Sequence, residues 1–335
     1  MSKPANELYR LLVSQKHGFP LFTPEPNENL PIEYRKVGVS IGDVGILGDG
    51  SFEVLFNACR PTSHSINGVH GVPEDFTVFP LSNRQISRRS YHSPGSIITS
   101  AKISEMSLSV GGSSAVTPFS PVTVGSSVTF RLQSKAAAIL VLPDGASREK
   151  LLPVETFRAY VRKYSRQWYT YARDYLPPTG SLFVVTGCDK TTSWGIATAS
   201  AITAAVGFSL KFAVIGVAEG TLAPQFQWQE FGSATVRTSC SNSRAENQCI
   251  FIRGFVVPKG ISVLTSVFNK ILLRGLRADK SRRCSLQGYQ IDAVEENVTK
   301  KTMVSTEAEL HTEEPLQDDA ELVSTSQTRD RDIVG

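Results

Sequence analysis

Few side chains in this sequence could support catalysis or bind a metal. His64 and His70 lie close together in a Ser- and Gly-rich stretch, but no third ligand stands at a spacing typical of a metal site. Cys59 with His64, or Cys188 with any of the five histidines, could act as a nucleophile and its base. A buried cysteine in a strand is the more ordinary interpretation. A hydrolase with a Cys or His site therefore stays open as one alternative.

Two neighbouring charged residues, Asp189 and Lys190, follow an apolar strand pattern. They could form an acid/base pair, but the pattern favours a polar turn that ends the strand. The sequence contains no dinucleotide-binding glycine motif, no phosphate-binding loop, no HExxH zinc motif and no GxSxG nucleophile elbow. We therefore predict no catalytic residue, no cofactor and no metal, and we classify the chain as a non-enzyme.

The charge of the chain is divided unevenly between body and tail. From residue 295 onward there are eleven acidic and four basic residues, a formal charge of −7; because the whole chain carries +4, residues 1–294 carry +11. The basic body has no zinc finger, no RNP-like motif and no basic zipper, so nucleic acid is disfavoured as a partner.

The cysteines and the N-terminus indicate the compartment. The five cysteines form no CxxC pair and no dense framework, and the first residues contain no apolar run of the kind found in signal peptides. The stretch that comes nearest to a transmembrane helix, the charge-free residues 195–210, is too short to cross a membrane as a helix. These features predict a reducing, cytoplasmic location.

Alternating apolar and small or polar residues mark the predicted strands. Residues 34–59 are predicted as strands with a turn at 48–51, and the clearest alternation lies within 103–132 and 192–217. The residues assigned to the apolar face are Met106, Leu108, Val110, Val128, Phe130, Leu132, Trp194, Ile196, Val206, Phe208, Leu210, Phe212 and Val214. Such strands fit the wet-faced sheet of a soluble domain. They also fit membrane-spanning strands, which would enter lipid only as a closed multi-chain barrel.

One long helix is predicted over 148–176, with short helices near the two ends of the body, at 6–16 and 261–277. An aromatic stripe runs along the long helix, and Arg158, Arg162 and Arg166 form a row beside it, either a solvated face or a contact for an anionic surface. We predict an α+β domain at 1–292, with a large, twisted, mostly antiparallel sheet, one long central helix and smaller terminal helices. Residues 293–335 are predicted to be an acidic disordered tail.

The order of these signals resembles the pore-forming domain of the gasdermin family. The resemblance covers roughly residues 5–275 and is carried by the first helix (7–16), YRKVGVSIGDV (34–44), the Ser-rich strand pair (103–132), the long helix (148–176), GSLFVVT (180–186) and CIFIRGFVVPKG (249–260). The phrases IGDVGIL, TGCDKTTSWGIA and NQCIFIRGF also resemble a large group of uncharacterised proteins of mushroom-forming fungi.

The gasdermin resemblance implies a cytoplasmic precursor that moves to the membrane on activation and acts in cell death. Such a protein binds anionic lipid through basic residues, forms a homo-oligomer and inserts β-hairpins, here 103–132 and 192–217, as a pore. In the family a C-terminal segment restrains the pore-forming domain until a protease removes it. The residues that we assign to lipid binding are Arg10, Lys16, Arg158, Arg162, Arg166, Lys270, Arg274, Arg277, Arg282 and Arg283.

The charge division agrees with this expectation. An acidic tail on a basic body would cover basic surfaces, and a cut between about 280 and 301 would release them for an anionic membrane. The alternative is a non-enzymatic soluble module that binds other proteins and carries a regulatory tail. Leakage of anionic vesicles would separate the pore-forming hypothesis from this module and from the hydrolase.

Overall fold

A computed structural model describes residues 3–100, 103–110, 113–115, 126–132, 134, 136–177, 181–200, 208–215, 225–231, 234–239 and 245–257. The predicted acidic tail and the predicted helix at 261–277 lie outside the described residues. So do Val206 and five residues assigned to lipid binding, Lys270, Arg274, Arg277, Arg282 and Arg283.

The N-terminal part of the chain is mainly helical. Helix α1 (Ala5–Tyr9) continues as a 3-10 turn over Arg10–Gln15 and ends at Lys16, whose φ of 59° lies in the left-handed region. A two-residue strand, β1 (Phe19–Pro20), and helix α2 (Ile32–Val37) follow. The prediction of strand from residue 34 was therefore wrong. Helix α2 has six residues and buries Tyr34 on one side. Over so few residues, an alternating pattern does not distinguish a short helix from a strand.

The predicted hairpin around the turn at 48–51 is confirmed. Strand β2 (Asp43–Gly48) pairs with β3 (Ser51–Asn57), and helix α3 (Ser65–Val69) comes next. Between the two strands Asp49 and Gly50 have φ values of 48° and 81°. Two positive φ values in a two-residue loop match the right-handed twist of antiparallel strands, which is why Asp-Gly is favoured there.

In the described part of the chain thirteen further strands follow, seven before and six after one long helix. The strands before the helix are β4 (Ile86–His92), β5 (Ser96–Thr99), β6 (Ile103–Val110), β7 (Ser113–Ala115), β8 (Ser126–Leu132), β9 (Ala136–Leu142) and β10 (Ala146–Leu151). The helix is α4 (Val154–Ala172). The strands after it are β11 (Ser181–Thr191), β12 (Gly195–Ser200), β13 (Phe208–Ile215), β14 (Gln225–Phe231), β15 (Ala234–Thr238) and β16 (Gln248–Val256).

The strands form three sheets, and every described strand pair is antiparallel. A seven-stranded sheet has the order β1-β16-β11-β10-β4, with β2 on β11 and β3 on β2. A four-stranded sheet has the order β15-β12-β9-β5, and a five-stranded sheet has the order β14-β13-β8-β6-β7. Together with the single long helix, this arrangement confirms the predicted α+β class.

Helix α4 lies against the seven-stranded sheet through its aromatic stripe. Phe157, Val161 and Trp168 are buried in one cluster with residues of β2, β3, β11 and β16, and the Trp168 ring packs edge-on against Phe56 at 5.4 Å. The helix starts later than predicted, because residues 146–151 form β10 and the helix begins only after Pro153. Among the described helices, none is both long enough and apolar enough to cross a membrane.

Candidate membrane-inserting ribbon

The described strands of segments 86–110 and 126–151 pair with each other as an antiparallel hairpin. Its strands keep nearly the same register while passing through all three sheets in turn. The partners at three levels along the hairpin are Ile86 with Leu151, Ile97 with Val141, and Val110 with Ser126. The predicted strand pair within 103–132 corresponds to β6 and β8 at one end of this first hairpin.

The described strands of segments 181–215 and 225–256 pair with each other as a second hairpin of the same kind. The partners at three levels are Phe183 with Val256, Gly195 with Thr238, and Ile215 with Gln225. The prediction that 192–217 is a hairpin was therefore wrong: β12 and β13 follow one another along one side, and the partner of β13 across the hairpin is β14. Alternation indicates which face a residue occupies, but it does not distinguish a strand that continues from one that returns.

The described strands of the two hairpins pair with each other in each of the three sheets. Segment 126–151 pairs with segment 181–215, with partners Ser147 with Lys190, Val141 with Gly195, and Val128 with Phe212. The four segments 86–110, 126–151, 181–215 and 225–256 therefore form one four-stranded antiparallel ribbon, and we call them its first, second, third and fourth arms. Each arm is well above the ten or so residues that a membrane-spanning strand needs.

The apolar residues of the ribbon are buried in the fold, in two separate clusters. Five residues assigned to the apolar face, Val128, Phe130, Leu210, Phe212 and Val214, pack between the five-stranded and four-stranded sheets. Trp194 and Ile196 instead pack on the other side of the four-stranded sheet, with Tyr9 and Leu12. The structure describes the strands that contain the other five residues but not their side chains; these are Met106, Leu108, Val110, Leu132 and Phe208.

The assignment of Trp194 and Ile196 to the same face as Phe212 was therefore wrong. Ala197 and Ala199, on the opposite face of β12 from Ile196, are the residues of this strand that pack in one cluster with Phe212. These alanines are so small that the two sheets approach closely. Gly195 is the extreme case, because a methyl group there would overlap the Phe212 ring. That ring also contacts Trp228 at 4.9 Å and Phe226 at 5.8 Å between centroids.

The basic residues that the structure describes have different surroundings. Arg162 and Arg166 are exposed on α4, and Lys16 is exposed at the end of the N-terminal helical segment. The Arg10 guanidinium lies 5.6 Å from the centre of the Phe19 ring. Arg158 does not belong to an open row: its guanidinium lies 4.4 Å from the centre of the Phe255 ring and 3.1 Å from a Glu155 oxygen.

A buried ionic cluster crosses all four arms of the ribbon. Asp189 is fully buried within β11, so the prediction of a terminal turn was wrong. Its carboxylate accepts hydrogen bonds from Arg148 at 2.7 and 2.9 Å and from Arg253 at 2.8 Å, and His92 Nε2 lies at 3.3 Å. His92, Arg148, Asp189 and Arg253 come from the first, second, third and fourth arms respectively. We call these four residues the ionic row.

Lys190 points to the opposite face of the same strand. Its ammonium group donates a hydrogen bond of 2.9 Å to the Val37 carbonyl and lies 3.6 Å from a Glu149 oxygen. A sequence signal for the ionic row did exist. Arg253 is a single charge within the apolar strand CIFIRGFV, and a charge in such a place needs a buried partner of opposite sign.

The surroundings of the ionic row shift two pKa values. Burial alone would raise the pKa of Asp189, but hydrogen bonds from His92 and Arg148 and the charge of Arg253 outweigh it and lower that pKa to about 2. Beside the row, burial and the charges of His92, Arg148 and Arg253 lower the pKa of His17 to about 4. Elsewhere in the fold, burial raises the pKa of Asp43 to about 6 despite a 2.7 Å hydrogen bond from the Tyr34 hydroxyl.

These shifts predict how stability changes in mild acid. Because folded His17 binds a proton less readily than it does in the unfolded chain, its contribution falls as the pH drops from about 6.5 to 4. Asp43 acts in the opposite direction, since its raised pKa makes the folded state gain stability as the pH drops from about 6 to 4. We expect His17→Gln to remove the first contribution, so that the variant loses less stability than the wild type over this range. Urea unfolding at pH 7, 5.5 and 4 measures the difference, and identical slopes would contradict it.

The side chains considered for catalysis make contacts that are typical of structural residues. The His64 ring accepts the Ile66 N–H at 3.3 Å at the start of α3, and His70 packs against the Tyr175 ring. Burial and the charge of Asp43 raise the pKa of Cys59 to about 12, the opposite of what a thiolate nucleophile needs. Within the described residues, no group of three or more His, Cys, Asp or Glu side chains is placed to hold a metal ion.

Comparison with known proteins adds no family. The chain matches no protein-family model, and no curated protein is significantly similar to it.

Proposed function

We propose that this chain is a cytoplasmic precursor that binds anionic membranes, assembles with copies of itself and inserts the ribbon as a β-barrel pore. The observation that carries the proposal is that the described strands of the four arms pair in the same arm order in each of three sheets, and that each arm has enough residues to span a bilayer. Each arm contains three strands of 4 to 11 residues, and joined end to end in a bilayer they would make a strand far longer than the five or six residues of an ordinary globular strand.

The pairing supports insertion because it already satisfies most of the backbone. In lipid every backbone N–H and C=O must be hydrogen-bonded, and within the ribbon the second and third arms are paired on both sides. The outer edges of the first and fourth arms would take partners from neighbouring copies, in place of β7 on β6 and β1 on β16. A ring of copies joined at these edges forms a closed barrel, the sheet architecture that a membrane tolerates.

The distribution of side chains supports the same proposal. In β13, buried Leu210, Phe212 and Val214 alternate with the half-buried Ser209 and Lys211. In the soluble fold the apolar face is covered by the four-stranded sheet, and in a bilayer lipid would cover it instead. Because both environments shield the face from water, exchanging one for the other leaves the hydrophobic free energy of these side chains nearly unchanged.

The ionic row sets the limit of the part that would insert. Ionised side chains are costly inside a bilayer, so we expect the level of His92, Arg148, Asp189 and Arg253 to stay outside. The arms beyond that level, from β5 to β9 and from β12 to β15, still have the length needed to cross. Exposed basic residues such as Arg162 and Arg166 would supply the attraction to anionic lipid, about 1 kcal/mol for each residue near the surface.

Dye release from vesicles tests this proposal. We expect a chain that ends at residue 294 to release dye from anionic vesicles and to leave neutral vesicles intact, while the full chain releases less because it keeps the acidic tail. A double replacement, Arg162→Ala with Arg166→Ala, should weaken binding to anionic vesicles several-fold. The matched control, Arg84→Ala with Arg173→Ala, removes two exposed charges outside α4 and should have less effect.

Negligible release from both chain lengths on anionic vesicles would overturn the proposal. Circular dichroism on the same samples establishes that each chain is folded. In that case a soluble module that binds other proteins becomes the better explanation.

A further inference from the structure

Residues 17–25 run along the outer edge of the fourth arm, and we call them the N-terminal strap. Strand β1 in the strap pairs with β16, with Phe19 opposite Ile252. Beyond β1, the Leu21 N–H donates to the Ile250 carbonyl at 3.0 Å, and the Cys249 N–H donates to the Pro24 carbonyl at 2.8 Å. The strap therefore occupies backbone positions on β16 that another strand would otherwise use.

Two arginines of the fourth arm hold the strap at its ends. Arg253 donates a 2.8 Å hydrogen bond to the His17 carbonyl. Arg237 donates to the Phe22 carbonyl, to Thr23 Oγ1 at 3.2 Å and to Glu25 Oε1 at 3.1 Å. The Arg237 guanidinium also lies 5.1 Å from the centre of the Phe22 ring. Arg237 thus joins several positions of the strap to β15 through both charge and hydrogen bonds.

The strap fits its edge closely. Gly18 has a φ of 137°, and a Cβ atom there would lie 2.6 Å from the Ile252 carbonyl oxygen, so this position requires glycine. Phe19 and Leu21 are buried in one cluster with residues of β11 and β16. The strap is therefore a defined part of the folded state.

At the level of β16 the opposite edge of the ribbon differs. In the described part of the chain, β4 of the first arm is the outermost strand of its sheet, and no described strand covers it. An outer strand with free backbone groups is a template for pairing with another chain. Because the covered and uncovered edges belong to different arms, copies that paired edge to edge would add head to tail and could close into a ring.

We propose that the N-terminal strap is an autoinhibitory cover that stops the first arm of a second copy from pairing with the fourth arm. While the strap is in place, the edge of β16 is occupied, so the chain stays a monomer in solution. Loss of the Arg237 contacts releases the strap and frees the edge of β16. This inference deepens the proposed function, because it assigns the contact that controls assembly.

Release of the strap can be measured in the full chain without lipid. We expect Arg237→Ala to speed amide hydrogen exchange at Leu21 and Cys249 by about tenfold or more, because both amides bond across the strap. The same variant should form dimers and larger species in sedimentation and cross-linking experiments. The control Arg173→Ala removes an exposed arginine that pairs only with its neighbour Asp174 in the described structure, and it should stay monomeric.

A reversible tether separates strap release from general unfolding. Phe19 and Ile252 are direct partners, so cysteines at both positions are placed to form a disulfide between strap and fourth arm. In the Arg237→Ala background we expect this variant to stay monomeric when oxidised and to associate when reduced. Association that persists in the oxidised form, or a reduced Arg237→Ala chain with fast exchange that stays monomeric, would overturn the inference. Unchanged exchange in Arg237→Ala would overturn it as well, because Arg237 would then not hold the strap.

The outcome is distinct from that of the proposed function. Association in solution tests the cover, whereas dye release tests the pore. A chain that associates when the strap is released but never permeabilises vesicles would support the autoinhibitory role of the strap and contradict the proposed pore.

Discussion

Replacing Asp189 by Asn is expected to lower the free energy of unfolding by about 3–5 kcal/mol at pH 7. The substitution keeps the shape of the side chain and removes its charge. Arg148 and Arg253, whose side chains are 20% and 19% exposed, would then lack the carboxylate that they share. An uncompensated charge in a largely buried site is costly, and this site belongs to all four arms of the ribbon.

Urea unfolding of wild type and variant measures this loss. The matched control is Asp174→Asn, because Asp174 is 83% exposed and its ion pair with Arg173 at the surface should contribute less than about 1 kcal/mol. The pH dependence gives a second test. Ionised Asp189 stabilises the fold above its unfolded pKa near 4, and this contribution, about 2 kcal/mol, is lost as the pH falls towards 2. Asp189→Asn should lack that acid-dependent step, and a loss below 1 kcal/mol at pH 7 would contradict the prediction.

The sequence predicts which face of a helix or strand is buried better than it predicts which distant residues that face contacts. The stripe on α4 appears in the sequence because residues three and four apart share one side of a helix, and Phe157, Val161 and Trp168 are buried as that spacing requires. Asp189 is different, because its charge is explained by Arg148 and Arg253, which lie 41 and 64 residues away in the chain. Near Asp189 the sequence offers only a charged pair after an apolar run, which is also typical of a turn.

The ribbon could not be predicted from the sequence for the same reason. The alternating pattern shows separate short strands, and it does not show which of these strands belong to one arm. The continuity of an arm becomes visible only from its partner, as when Val141 pairs with both Ile97 and Gly195. Long-range register of this kind does not follow from alternation within one segment.

Replacing Gly195 by Ala is expected to lower the free energy of unfolding by about 1–3 kcal/mol, although glycine-to-alanine changes in strands usually stabilise. The added methyl group would overlap the Phe212 ring, and that ring is confined by Phe226 and Trp228. The five-stranded and four-stranded sheets must therefore separate slightly. Under the proposed function this change also weakens the cover over the apolar face, so a chain ending at residue 294 should release dye from anionic vesicles several-fold faster.

Phe212→Leu supplies the matched control for this contact. Leucine removes ring atoms that the new methyl group would strike, so the double variant should lose less stability than the sum of the two single losses. A double-mutant cycle from urea unfolding gives the coupling free energy, which we expect to be about 1 kcal/mol or more for residues in direct contact. Additive losses would show that Gly195 and Phe212 do not hold the two sheets together. In that case the close approach of the sheets at Gly195 would not be what keeps the apolar face of the ribbon covered in water.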